Sequence, residues 1–194
     1  MQTTDAISHD AEQRRIVQYL CRLGNKVKET GYYKIYSGDE LYRIQNTYDD
    51  LDIQELRAEP DLQINTTRGK SWWADIKTGH ALEAFQLAFN IKRMQKGETV
   101  AYILTKEQEG KDKVLVLDEE IFSKIKPVIY YHPERPHLME FLKETLQIRL
   151  THELPWGHNS NNGRSKDPCI YLKSWVYDEL RDFESFALDM GLLG

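Results

Sequence analysis

Apolar positions along this chain fall into short runs of two kinds. Ile16, Leu20, Leu23 and Val27 recur at helical spacing, which predicts a first helix over residues 8–28. Ser8 is its candidate N-cap, and Asp10 and Glu12 lie in its first turn, where the helix dipole favours negative charge. Gly24 interrupts the last turn of that pattern. "GYYKIYSGDELYRI" is rich in tyrosine and isoleucine and predicts two strands joined at Ser37-Gly38-Asp39. The polar, acidic stretch from Gln45 to Arg57 predicts a loop or short helix. Residues 59–79, "EPDLQINTTRGKSWWADIKTG", read as a hairpin that turns near Arg68, and "HALEAFQLAFNIKRMQKG" as a helix closing at Gly97. "TVAYILTKE" and "KVLVLD" predict two further strands. "PHLMEFLKETLQIRL" and "SWVYDELRDFESFALDM" both carry helical periodicity, the second through Val176, Leu180, Phe183, Ala187 and Met190. The polar "GHNSNNGRSKDP" between them predicts a mobile loop.

This order predicts an α/β fold: a central mixed β-sheet flanked by helices, with residues 1–125 as the core and 126–194 as a helical C-terminal extension packed on it in one compact domain. At 194 residues and 40% hydrophobic, the chain can bury one good core. Its apolar runs fall well short of the roughly 18 residues a membrane span needs, and its N-terminus is too polar for a signal peptide. A cytoplasmic protein with no membrane partner is expected. Cys21 and Cys169 fit reduced thiols better than a disulfide framework. The net charge of −5 argues against a broadly basic coat that binds nucleic acid by mass electrostatics. A local anion-binding surface is still expected around the hairpin, because Arg68, Lys70, Lys77, Lys92, Arg93 and Lys96 concentrate there while acidic residues crowd Asp178 to Asp189.

Side chains alternate faces along a strand, so Trp73, Asp75 and Lys77 share one face and Trp72, Ala74 and Ile76 the other. With the turn centred near Arg68, Asp61 lies directly across from Asp75, and directly opposed residues have Cα atoms roughly 4.5 to 5.5 Å apart. Like charges at that spacing destabilise a sheet unless compensated, and a shared divalent cation is a natural compensation. Lys77, about 6.6 Å along the strand from Asp75, reaches the same place. A register slip of one residue would send one carboxylate to the other face.

"Pro60-Asp61", followed by "Asp75-Ile76-Lys77", resembles the active-site signature of the PD-(D/E)xK nuclease superfamily. The continuation "DIKTG" into "EAFQLAFN" is similar to its RecB-like exonuclease branch, where a lysine-threonine-glycine turn leads into a helix carrying a glutamine, here Gln86. The resemblance implies a restriction-endonuclease-like core and a metal-dependent phosphodiesterase acting on DNA. In it Asp61 and Asp75 are ligands of Mg²⁺ or Mn²⁺, Lys77 orients the attacking water, and Gln86 contacts the site or substrate. An acidic residue on an N-terminal helix often completes the metal site; Glu12 is the candidate, with Glu40 as second choice. Four cysteines hold an iron-sulfur cluster in some relatives, and their absence here implies no cluster.

The substrate face is expected to carry Arg68, Lys70, Trp73, Lys92 and Arg93, with Trp73 stacking on a base or shielding the site, and Arg164 and Lys166 clamping the backbone from the polar loop. Trp72 is expected in the core. Gln86, Asn90 and Arg93 lie on one helical stripe, facing either substrate or water. "RGKS" lacks the first glycine of a phosphate loop, and His132, His137, His152 and His158 lack metal-ligand spacing. Two alternatives stand beside the exonuclease: an inactive nucleic-acid- or protein-binding module on the same fold, and a homodimeric structure-specific or restriction endonuclease.

Overall fold

The computed structural model describes residues 4–78, 81–105, 111–125, 128–130, 136–147, 149–151, 169–171 and 178–189. The chain runs α1 (Thr4–Arg22), β1 (Lys26–Glu29), α2 (Tyr32–Ile35), α3 (Gly38–Asn46), α4 (Leu51–Arg57), β2 (Leu62–Asn65), β3 (Ser71–Lys77), β4 (Ala81–Glu83) and α5 (Ala84–Gln95). It continues through β5 (Thr99–Leu104), β6 (Lys113–Leu117), α6 (Glu119–Ile125), β7 (Val128–Tyr130), α7 (Pro136–Leu146), β8 (Arg149–Thr151), β9 (Cys169–Tyr171), β10 (Arg181–Asp182) and α8 (Phe183–Asp189).

The centre is an open six-stranded sheet in the order β1-β2-β3-β5-β6-β10. It is mixed: β3 and β5 run parallel, and the other neighbours are antiparallel. Parallel neighbours need a crossover, and α5 lies within it. Helices cover both faces. On one, Leu87, Ala88 and Ile91 of α5 and Leu138, Leu142 and Leu146 of α7 meet Val100, Tyr102 and Leu104 of β5. On the other, Ile16 and Leu20 of α1 and Phe186 of α8 meet Trp72, Ala74 and Ile76 of β3 and Ala101 and Ile103 of β5. The period-two alternation of β3 and β5 divides their side chains between the two cores. Residues of α7 and α8 lie in the cores built with the first 125 residues.

Several elements differ from the sequence expectation. The first helix ends at Arg22 rather than 28, because Gly24 takes a left-handed φ of 85° and stops it. Val27 therefore lies on β1, opposite Ile64. The two tyrosine-rich strands are helices α2 and α3 instead. Strand preference in aromatic and β-branched residues reflects fit to a half-buried pleated surface, and β1 already forms the sheet edge beside β2. Asp39 and Glu40 in the first turn of α3 suit a helix start, and its Ile44 is buried. The acidic stretch before the hairpin holds α4, capped by Asp50, whose side chain accepts from the backbone N–H groups of Asp52 and Ile53. The expected C-terminal helices are shorter, α7 ending at Leu146 and α8 beginning at Phe183, and β8 and β10 occupy part of their expected spans. The polar loop with Arg164 and Lys166 lies outside the described residues, as do His132, His152 and His158. His137 sits on α7 and bonds the Asp49 carbonyl oxygen, 2.6 Å away. Among the described residues, no helix is long and apolar enough to cross a membrane.

Candidate active site

The hairpin has the register its alternation implies: Leu62 pairs with Ala74, Gln63 with Trp73, Ile64 with Trp72 and Asn65 with Ser71. The ladder ends at Leu62 and Ala74, and Asp61 and Asp75 are the next residues on the two arms of the hairpin. The turn closes through Thr66 and Lys70, with Gly69 at a φ of 76°. Trp72 lies in the core, its ring edge-on to Phe186 at 5.1 Å.

Asp75 is wholly buried, and its partners come from α5. Gln86 Nε2 donates to Oδ1 at 2.7 Å, and Asn90 Nδ2 donates to Oδ2 at 2.7 Å. Asn90 Nδ2 also reaches the Tyr102 hydroxyl at 2.9 Å. Gln86 and Asn90 are one helical turn apart, so both amides face the same carboxylate. The Lys77 ammonium donates to Gln86 Oε1, which makes Gln86 a bridge between the acid and the base of the Asp-Ile-Lys triplet. Burial is the main force on Asp75 and pushes its carboxyl up to about 7; Lys77 opposes the shift and the charge of Asp61 adds to it.

Asp61 is also buried but is held from the other side. Its Oδ2 accepts from the Ile76 backbone N–H at 2.8 Å and lies 3.5 Å from His9 Nε2. Its Oδ1 lies 3.1 Å from the Tyr33 hydroxyl. Burial would raise this carboxyl, but the His9 hydrogen bond, the Lys77 charge and the Ile76 N–H outweigh it and hold Asp61 below the usual carboxylate range. The same Asp61 bond raises the His9 imidazole above its ordinary value, against desolvation. His9 Nε2 also lies 3.1 Å from the Ile76 carbonyl oxygen.

The structure thus brings together Asp61, Asp75, Lys77 and Gln86. It does not bring Glu12. Arg15 takes the Glu12 Oε2 with two donors, at 3.0 and 2.7 Å, and clasps Asp112 in a fork, at 2.9 and 2.7 Å. Glu12 is therefore neutralised within α1's own ion-pair network, and the residue α1 sends to Asp61 is His9. Glu40 is exposed on α3. The expected substrate face is also divided. Arg68 and Lys70 are exposed at the hairpin turn, and Lys70 is about 16 Å along β3 from Asp75 at the usual rise per residue. Arg93 lies over the Trp73 ring, 4.5 Å from its centroid, and is paired with Glu59 and Glu98. Its charge and the Trp73 face are used within the fold. Lys92 lies 4.5 Å over the Phe141 ring.

Sequence reasoning missed three contributors: His9, Tyr33 and the role of Asn90 toward Asp75. His9 stands one heptad before Ile16 and so continues the stripe of α1, a signal present in the chain. Asn90 follows Gln86 by four. Tyr33 has no such signal, because its segment reads as strand.

The donors at this site suit a hard divalent cation. Both Asp75 oxygens and Asp61 Oδ1 each give one lone pair to the contacts above and keep one, Asp61 Oδ2 meets both the Ile76 N–H and His9, and the Ile76 carbonyl stands beside them. Among the described residues no group of three or more His, Cys, Asp or Glu side chains forms a metal cage. Two carboxylates supplemented by main-chain oxygen and water match Mg²⁺, which keeps several waters and takes only one or two carboxylates. Asn90 Oδ1, buried beside Asp75, has no hydrogen-bond partner among the described residues, a further oxygen at the site with spare acceptor capacity. No family model matches the chain, and neither a curated protein nor a solved structure matches it.

Proposed function

We propose that the protein is a metal-dependent nuclease that hydrolyses DNA phosphodiester bonds at the β2–β3 hairpin, on a restriction-endonuclease-like core of the RecB-like type. The observation that carries this reading is the hairpin, whose ladder ends at Leu62 and Ala74 and leaves two buried carboxylates, Asp61 and Asp75, next along its two arms with the Lys77 charge acting on both. Two buried carboxylates side by side call for positive charge, and the nearby donors are oxygens with one imidazole.

Asp61 and Asp75 would hold Mg²⁺ or Mn²⁺, with His9 and the Ile76 carbonyl beside them. A bound divalent cation supplies an acidified water and neutralises charge on the phosphate. The chain's own groups do the rest. Lys77 brings an ammonium next to the carboxylates, where it orients a water or stabilises negative charge developing on a phosphate oxygen. Gln86 fixes that ammonium against Asp75. Asn90 anchors the second Asp75 oxygen and keeps the carboxylate from rotating. The Ile76 N–H and His9 favour the ionised form of Asp61.

The test is cleavage of end-labelled linear single- and double-stranded DNA and of circular DNA, with Mg²⁺, with Mn²⁺ and with EDTA. Cutting that needs the metal and is lost in Lys77→Ala is expected; circular DNA separates an exonuclease from an endonuclease. A folded protein that cuts none of these substrates under any metal condition would leave the inactive binding module as the reading.

A further inference from the structure

We propose that Tyr33 is a positioning residue for the Asp61 carboxylate and that the Thr30–Tyr33 segment is built to hold it there; this rests on the reading of Asp61 as a metal ligand. The segment joins β1 to α2 and grips the Pro60-Asp61 pair along its backbone. The Thr30 N–H donates to the Asp61 carbonyl oxygen at 2.9 Å, and the Thr30 hydroxyl to the Pro60 carbonyl oxygen at 2.6 Å.

Gly31 is buried, and its φ of −53° and ψ of 136° suit any residue. What requires glycine is space. A Cβ at Gly31 would stand 2.8 Å from a Tyr33 ring carbon and 3.3 Å from Asp61 Oδ1. The missing side chain lets the Tyr33 ring fold back toward the carboxylate.

The Tyr33 hydroxyl then meets two acceptors, Gln13 Oε1 and, at 3.1 Å, Asp61 Oδ1. Gln13 is wholly buried, and its Nε2 donates to Glu29 Oε1 at 2.7 Å, which turns its oxygen toward the phenol. The ring also meets His9 edge-on, with centroids 6.2 Å apart. Tyr33 therefore touches two of the groups that face the proposed cation. Because Ile76 N–H and His9 engage Oδ2, Tyr33 is the contact that governs Oδ1 and hence the rotation of the carboxylate plane.

The experiment is a Mn²⁺ titration followed by electron paramagnetic resonance on wild type, Tyr33→Phe, Gly31→Ala, the double variant and Asp61→Asn. Thermal melting in EDTA accompanies it. Removing an outer contact of a metal ligand typically weakens affinity about 10- to 100-fold, and Tyr33→Phe is expected at about 10-fold, with melting lowered because the buried Gln13 Oε1 loses its donor. Gly31→Ala, which displaces the same ring, is expected to weaken Mn²⁺ similarly. The double variant should lose no more than the worse single one, because both act on one contact. Wild-type affinity in Tyr33→Phe, with binding abolished in Asp61→Asn, would overturn this proposal alone. Absence of Mn²⁺ binding in wild type would overturn the metal reading and this proposal with it.

Discussion

Asp61 and Asp75 lie at the same end of one hairpin and are held by different chemistry. The Asp61 side, built from α1, α2 and the strand backbone, offers an imidazole, an N–H and a phenol, and its carboxyl is held low. The Asp75 side, built from α5, offers two side-chain amides in a dry pocket, and its carboxyl is pushed up to about 7. Amides orient a carboxylate without compensating its charge; a protonated His9 does compensate it. The difference teaches that position alone does not set the chemistry of the pair. Asp61 is held toward its ionised form, whereas burial favours the protonated form of Asp75.

Neutralising the high carboxylate should have the largest effect. Asp75→Asn is expected to abolish Mn²⁺ binding measured by calorimetry and to reduce DNA cleavage to background, while the metal-free variant still folds, the removal of a buried charge being set against the loss of one accepted hydrogen bond. Lys77→Ala is expected next, with turnover lowered about 10²- to 10³-fold, the range for loss of one group stabilising transition-state charge. Its Mn²⁺ affinity should change little, because Lys77 is no ligand. Asn90→Ala sharpens the comparison from the amide side: the metal concentration for half-maximal cleavage should rise about 10-fold, as for other outer contacts.

The pair also predicts a pH dependence of stability in EDTA. A carboxyl raised from 3.8 to about 7 holds a proton in the folded state that the unfolded chain releases, so its contribution is lost as pH rises across that window. His9, raised above 6.5, acts with the same sign, its contribution falling as pH passes its folded value. Asp61 acts oppositely, and only as pH falls below 3.8. Melting temperature is therefore expected to drop between about pH 4 and about pH 7, and Asp75→Asn should flatten that slope. Arg93→Ala, the smallest effect, is expected to cost about 1 kcal/mol of stability by denaturant unfolding, through its stack on Trp73 and its half-buried ion pairs. DNA affinity should be unchanged, in contrast to the result for a phosphate-binding arginine.

The hairpin and its register were legible because period-two alternation on both strands, a turn and a buried face all specify the same pairing. The face assignments of Trp72, Trp73 and Asp75 follow from that alternation alone. The α2–α3 region was not legible: its tyrosines and isoleucine fit a strand by local preference, and the helix signal of Asp39 and Glu40 in the first turn of α3 was read as a strand turn. That error hid Tyr33. Glu12 was chosen as an acidic residue on the first helix, and neither property identifies which partner its side chain finds. Arg15, three residues on, captures it together with Asp112. Arg93 shows the same limit, since a cluster of basic residues in sequence contains no information on acidic partners such as Glu59 and Glu98.

The most direct test of the central claim is a crystal of the protein soaked in Mn²⁺, with an anomalous difference map calculated at the hairpin. The account predicts one strong peak bonded to carboxylate oxygens of both Asp61 and Asp75. A map with no peak there, or with its strong peak at a site that touches neither residue, would contradict it.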